Sequence, residues 1–209
     1  PYTVGVTEQD ICAKQASIGE MQNVGVMFRV GNVDLNRVFA YLKENPHYFI
    51  AQHYAQFTLE EANERFLKNE MATINIMTDG TPARFQVYNL PTPGVVTLCC
   101  PQIKGIDGCD VDSITRSELI MADMLKRWMD TIKHIPGFDQ SFLLQVPEMG
   151  IRETRHIQGD YVLDLMDIYE QKDFYDCIGY GAHPIDTHPR PEWLNDPATS
   201  YPPRWYFQI

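Results

Sequence analysis

The sequence predicts an α+β fold, a mixed and largely antiparallel sheet packed by helices. Three observations predict it. Short apolar, β-branched runs follow one another at 71–77, 83–90 and 95–99, separated by Asp79-Gly80 and Pro91-Thr92-Pro93-Gly94, which is the pattern of an antiparallel meander. Helical stretches flank that meander and do not alternate with single strands, which argues against regular βαβ winding. The 209 residues, 44% hydrophobic and 22% charged, can bury about 70% of their unfolded surface and do not read as disordered.

The elements follow in order. Residues 24–30, Val-Gly-Val-Met-Phe-Arg-Val, form an apolar β-branched strand closed by Gly31. Asp34 caps a helix that runs to about residue 44, with Leu35, Val38, Phe39 and Leu42 at helical spacing and Asn45-Pro46 as its stop. Thr58 and Glu61 form a capping box for a second helix, to about 68. After the meander, Asp112 opens the longest helix, 112–134, ended by Pro136-Gly137. Two strands are expected at 142–146 and 150–157, then a short helix at 165–171 and an extended segment at 174–179. From 184 to 203 the chain holds six prolines, so regular structure should be sparse there. The final residues 205–209, Trp-Tyr-Phe-Gln-Ile, read as a strand.

Charge excludes one partner class. The net charge is −11, and a nucleic-acid binder needs a basic face for phosphate. The five cysteines, Cys12, Cys99, Cys100, Cys109 and Cys177, contain no C-x-x-C pair, which disfavours a zinc ribbon or disulfide framework and points to a reducing, cytoplasmic setting. No run of about 18 apolar residues is present, so no membrane helix is expected. The Cys99-Cys100 pair and the tyrosine-rich stretch 161–180 read as buried structure. The chain opens without Met and stops in a strand-like run; both ends read as cuts within a longer chain.

Three motif observations bear on chemistry. Gly179-Tyr180-Gly181 is the one G-x-G, and Pro184 stands where the helix of a dinucleotide fingerprint would begin, so this chain alone is not expected to bind FAD or NAD in the usual way. Residues 150–161 carry Arg152, Thr154 and Arg155. A guanidinium fork matches carboxylate or phosphate oxygens, so Arg152, Arg155 or both hold an anionic group, or else pair with carboxylates of this acidic chain. On a strand, Arg152 and Thr154 would share one face, and Ile151, Glu153 and Arg155 the other. His183, Asp186 and His188 fall within six residues. They could supply three metal ligands, exchange a proton near neutral pH, or satisfy a rigid proline turn.

Together these segments resemble a known family. Gly150-Ile151-Arg152-Glu153-Thr154-Arg155, with Ile157, Gly159 and Tyr161, is similar to the G-x-R-E-T-R-x-I-x-G-x-Y signature of bacterial FAD-dependent oxidoreductases related to fumarate reductase and glutathione reductase flavoproteins. Phe174-Tyr175-Asp176-Cys177-Ile178 and Pro184-Ile185-Asp186-Thr187-His188 follow at similar spacing. Ile114-Thr115-Arg116-Ser117-Glu118 resembles the opening of that family's long helix, and 27–34 its first substrate-domain strand. Position 156 is His where the family often has Arg.

The resemblance implies that 1–209 is a single substrate or capping domain, without the Rossmann FAD domain that flanks it in a longer flavoprotein. Its segment 184–209 would lead back to that missing domain. It implies FAD in the full-length parent and none on this chain alone. The flavin-binding domain of the same parent would be one partner, an anionic small molecule the other, and a homodimer is possible. It also implies roles: Arg152, Thr154 and Arg155 orient the anion, while His183, Asp186 and His188 line the cleft, with His188 the proton donor or acceptor for hydride transfer to or from flavin. Two other classes remain: a non-catalytic small-ligand or protein-interaction module, and a metal-dependent hydrolase built on His183, Asp186 and His188.

Overall fold

The computed structural model describes residues 2–5, 19–50, 57–181 and 207–208. In chain order the elements are β1 (Tyr2–Val4), β2 (Val24–Gly31), α1 (Leu35–Glu44), a single 3-10 turn (Pro46–Tyr48), β3 (Phe49–Ile50) and α2 (Leu59–Leu67). Then come β4 (Thr73–Met77), β5 (Arg84–Asn89), β6 (Val96–Ile103), α3 (Val111–Ile132) and β7 (Phe142–Gln145). The last are β8 (Arg155–Ile157), α4 (Leu165–Tyr169), β9 (Tyr180–Gly181) and β10 (Phe207–Gln208). The fold is α+β, and every strand pairing among the described residues is antiparallel.

The chain divides into two compact units. The first, the sheet unit, comprises Val24–Ile106 and Val111–Ile151. Its six strands are ordered β3-β4-β5-β6-β2-β7. The period of two along β2 buries Val24, Val26, Phe28 and Val30 and turns Met27 and Arg29 the other way. All three long helices pack against the buried face, through Val38, Phe39 and Leu42 of α1, Ala62 and Phe66 of α2, and a stripe on α3 that includes Leu125, Trp128 and Ile132. Aromatic edges lock the layers: Phe28 meets Trp128 at 6.0 Å between ring centroids, Phe39 meets Phe66 at 5.3 Å, and Phe85 meets Phe138 at 5.9 Å. Each such ring contributes about 1.5–3 kcal/mol by leaving water.

The helix ends are closed as the sequence signals. The Asp34 carboxylate accepts from the Arg37 N–H at 3.2 Å. Thr58 Oγ1 accepts from the Glu61 N–H at 3.2 Å, and the Glu61 carboxylate accepts from the Thr58 N–H at 2.8 Å, a complete capping box. Asn69, at φ +54°, ends α2 in the left-handed region, and the Asn89 amide donates to the Phe66 and Glu70 carbonyls. After α3 the chain turns at Gly137, φ +97°, where an added Cβ would lie 2.4 Å from the Asp34 carbonyl oxygen. The adjacent Asp139 carboxylate accepts from the Gly137 N–H and pairs with Arg37 at 2.8 Å, and these two contacts hold its pKa below the ordinary carboxylate value.

Several strands depart from expectation. β6 extends to Ile103, through Pro101. Between the pairs Met27↔Cys99 and Gly25↔Gln102, β6 advances three residues while β2 advances two. The extra residue is a bulge that includes Cys100 and Pro101, beyond the last β5 pairing, so the missing Pro101 N–H costs no ladder bond. The expected strand 150–157 is not continuous. Gly150 forms an isolated bridge to Gly25, and regular pairing resumes only at Arg155. Between them the Glu153 side chain takes the Gln22 N–H at 2.6 Å, so a carboxylate replaces a strand partner. Residues 174–179 form a turn, with the Cys177 N–H bonded to the Phe174 carbonyl, and pairing starts at Tyr180. β1 and β3 are too short for a periodic signal and were not expected.

Candidate functional site

The second unit comprises Pro1–Asn23, Asp107–Asp110 and Arg152–Ile209, and carries most of the 150–161 motif. β1 pairs with β8 in the register Tyr2↔Ile157, Thr3↔His156, Val4↔Arg155. Arg155 and Tyr2 are therefore diagonal neighbours on one face, and the guanidinium carbon sits 5.5 Å from the Tyr2 ring centroid. A hydrogen bond with Tyr2 raises the Arg155 pKa further, reinforced by the proximity of Cys109 and Asp107. Arg155 is thus a fixed, exposed cation.

Glu153 lies between the two arginines in sequence and is turned inward. Its side chain is 11% exposed and accepts from the Gln22 N–H and from His156 Nε2 at 2.8 Å. Arg152 and Thr154 are exposed. The structure places Arg152, Thr154 and Arg155 on one short exposed segment. The face assignment expected for a strand does not hold before residue 155, because that stretch is not a strand. His183, Asp186 and His188 lie outside the described residues. Among the described residues no three His, Cys, Asp or Glu side chains converge as metal ligands.

A second cluster was not read from the sequence. The Tyr161 hydroxyl donates to Asp167 Oδ1 at 2.5 Å, and Lys172 Nζ donates to the Tyr161 oxygen at 2.6 Å and to Asp167 Oδ1 at 3.2 Å. Asp167 is 7% exposed, and its other oxygen accepts from the Asp164 N–H. Lys172 also lies 4.4 Å from the Tyr161 ring centroid, and Phe174 packs edge-on to that ring at 5.3 Å. The Asp164 N–H first, then the Tyr161 hydroxyl and Lys172, hold the Asp167 pKa below the usual carboxylate value. Hydrogen bonds to Tyr161 and Asp167 raise Lys172, and the bond to Asp167 raises Tyr161. All three directions move the groups away from neutrality, and the bonds among them clamp the turn. The signal was available in Asp164-x-x-Asp167, which forms a capping box on α4. The expectation that the tyrosines of 161–180 are core fails where they are described: Tyr161 is 52% exposed, Tyr175 fully so and Tyr180 69%.

The chain belongs to the FAD dependent oxidoreductase family, whose model matches residues 1–209. No curated protein and no solved structure matches it. The family implies FAD in its members. An adenine dinucleotide needs a parallel strand–glycine turn–helix cradle, and among the described residues the pairings are antiparallel and no such turn precedes a helix. The described residues therefore do not fit that part of the cofactor. Among them no helix is long and apolar enough to cross a membrane.

Proposed function

We propose that this chain is the substrate-side domain of an FAD-dependent oxidoreductase and that it orients a small anionic molecule. The family assignment supports the redox class. The observation that carries the anion is the exposed segment Arg152–Thr154–Arg155, in which the intervening Glu153 is committed to Gln22 and His156. Arg155 is held charged against Tyr2 and cannot serve as a base at any working pH. Its use is to fix a carboxylate or phosphate, with Thr154 as a neutral donor. The flavin would supply the hydride chemistry, held by a flavin-binding domain of the same parent, while this domain supplies position and electrostatics. Proton transfer falls to His188, with His183 and Asp186 beside it in sequence, by the family resemblance.

The test is steady-state kinetics of the full-length parent. Arg152→Ala and Arg155→Ala should each raise KM for the anionic substrate about tenfold or more, with the flavin absorbance spectrum unchanged. His188→Gln should lower kcat with little change in KM. Wild-type KM in both arginine variants would defeat the anion reading.

A further inference from the structure

The β1–β8 ribbon lies within one compact unit, and its side chains are distributed one-sidedly. Directly paired residues of an antiparallel ladder point to the same side, and so do residues two apart along a strand. The register Tyr2↔Ile157, Thr3↔His156, Val4↔Arg155 therefore puts Tyr2, Val4, Arg155 and Ile157 on one face and Thr3 and His156 on the other. On the first face Tyr2 is 58% exposed, Val4 38% and Ile157 83%, and Arg155 is exposed beside them. Single exposed apolar residues are ordinary. Here they are grouped around one cation, so the face is a small apolar floor with one anchoring charge. The reverse face is polar, and His156 there is tied to Glu153 at 2.8 Å. Arg155 makes no ion pair among the described residues, and its guanidinium carbon lies 5.5 Å from the Tyr2 ring centroid. The turn Asp107–Asp110, closed by the Asp110 N–H on the Asp107 carbonyl, stands beside it. Asp107 and Cys109 are close enough to act on the Arg155 charge, and Asp107 Oδ1 accepts the Cys109 N–H at 2.7 Å.

Resting on the reading of Arg155 as an anion anchor, we propose that this face sets the substrate class: a small monocarboxylate with an apolar body, its carboxylate on Arg155 and its body over Tyr2, Val4 and Ile157. Size, charge and polarity each select that occupant. Three residues of strand span about 10 Å, which suits an acid with a phenyl or branched aliphatic body. A stable protein partner would need roughly 800 Å² on each side, far more than four side chains offer. One guanidinium balances one negative charge, and its fork matches a carboxylate. With Asp107 nearby, in a chain of net charge −11, a second charge on the ligand would be repelled, so a monoanion is preferred to a phosphate or a dicarboxylate. Besides the Tyr2 phenol the floor has no hydroxyl or amide, so a polyhydroxylated body would give up water without compensation. An apolar body gains by leaving water, and the Tyr2 ring is a surface for it to pack on.

The experiment uses the 209-residue chain labelled with 13C at its isoleucine δ1 methyls and with 15N. Ile157 lies on the proposed face, whereas Ile74, Ile76 and Ile132 are buried in the core. 3-Phenylpropionate is titrated, with acetate as its charged part, 3-phenylpropanol as its apolar part, and succinate and D-gluconate as a dianionic and a hydroxylated competitor. The expected result is a saturable shift of the Ile157 methyl and of the Val4 and Arg155 amides with 3-phenylpropionate. The Ile74, Ile76 and Ile132 methyls should stay silent, and the other four probes should bind about tenfold more weakly or worse. Arg155→Gln should weaken 3-phenylpropionate about tenfold. Ile157→Thr, which keeps a β-branched strand residue, should weaken it about fivefold and leave acetate unchanged. Wild-type positions of the Thr3 and His156 amides check that the ladder survives each substitution, and the probe series on the unsubstituted chain decides the class by itself. No saturable Ile157 response, equal affinity in Arg155→Gln, or acetate, succinate or gluconate binding as tightly as 3-phenylpropionate would each overturn the proposal. Tight succinate or gluconate binding that Arg155→Gln removes would overturn the substrate class and keep Arg155 as an anion anchor. Wild-type KM in the Arg155→Ala variant of the full-length parent would instead defeat the anchor itself.

Discussion

The two units are held together by different physics. In the sheet unit, one continuous cluster of apolar side chains from β2, β4, β5, β6 and three helices carries the fold, and its Phe28, Phe66, Phe85 and Phe138 are fully buried. In the other unit, the described residues offer two-strand ladders of two or three residues, a carboxylate spent on a backbone N–H, and the Tyr161–Asp167–Lys172 clamp. Its buried side chains there are few, namely Met21, Asn23 and Asp167. Packing is indifferent to chemistry, whereas a polar scaffold leaves cations such as Arg155 at its surface. The contrast teaches that the motif with the family signature sits in the part of the chain least able to hide its polar groups.

Substitutions can break that contrast, beginning with the largest. Phe28→Ala removes a fully buried ring of β2 and its contact with Trp128; it should cost about 3–5 kcal/mol, read as a fall in the urea midpoint. A loss under about 1 kcal/mol would mean that the cluster does not carry the unit. Gly137→Ala forces a Cβ against the Asp34 carbonyl at positive φ and should cost more than about 1 kcal/mol, by the same measurement.

The clamp should respond to acid. The Asp167 pKa is lowered in the folded chain, so its contribution is present above the unfolded carboxylate value of about 3.9 and is lost as pH falls through the folded value. The protection factors of the 166–172 amides, taken relative to intrinsic exchange, should therefore fall on acidification, and Asp167→Asn should already show low protection at neutral pH and a flatter acid limb. The Lys172 and Tyr161 sides, with raised values, hold until alkaline pH. An unchanged acid limb in Asp167→Asn would remove the clamp from the account. At the small end, Arg127→Ala breaks an exposed i,i+4 pair with Asp123 at 2.7 Å and should change the unfolding free energy from urea titration by no more than about 0.5 kcal/mol. A larger effect would show surface charge sharing the load with the core.

What was legible in the sequence follows the same division. The helices and central strands of the sheet unit could be read because burial writes a period into the chain: 3.6 along α3, two along β2, with caps at Asp34 and Thr58 marking the ends. Register between strands left no such trace and emerged only from the pairing. In the other unit, periodicity misled. The alternation at 150–157 looked like a strand, but Glu153 captured a backbone N–H that a strand would have used. Tyrosines at 161–180 looked apolar, yet Tyr161 is used for its hydroxyl. The candidate arginines were legible as residue types, and their setting against Tyr2 was not, since it depends on a ladder between positions more than 150 residues apart.

The bulge at Cys100 and Pro101 acts on the sheet as a frameshift acts on a message. Counting by twos from Leu98 on the core side would put Gln102 in the core and Ile103 outside; the one inserted residue restores Gln102 opposite Gly25 and Ile103 opposite Val24, buried. Straightening the bulge with both residues retained would exchange the two faces for the rest of the strand and send a glutamine amide inward, whereas deleting one of the two would leave a regular strand with Gln102 and Ile103 on their present faces. The bulge thus lets β6 carry one residue more than its partner while every later position stays in phase.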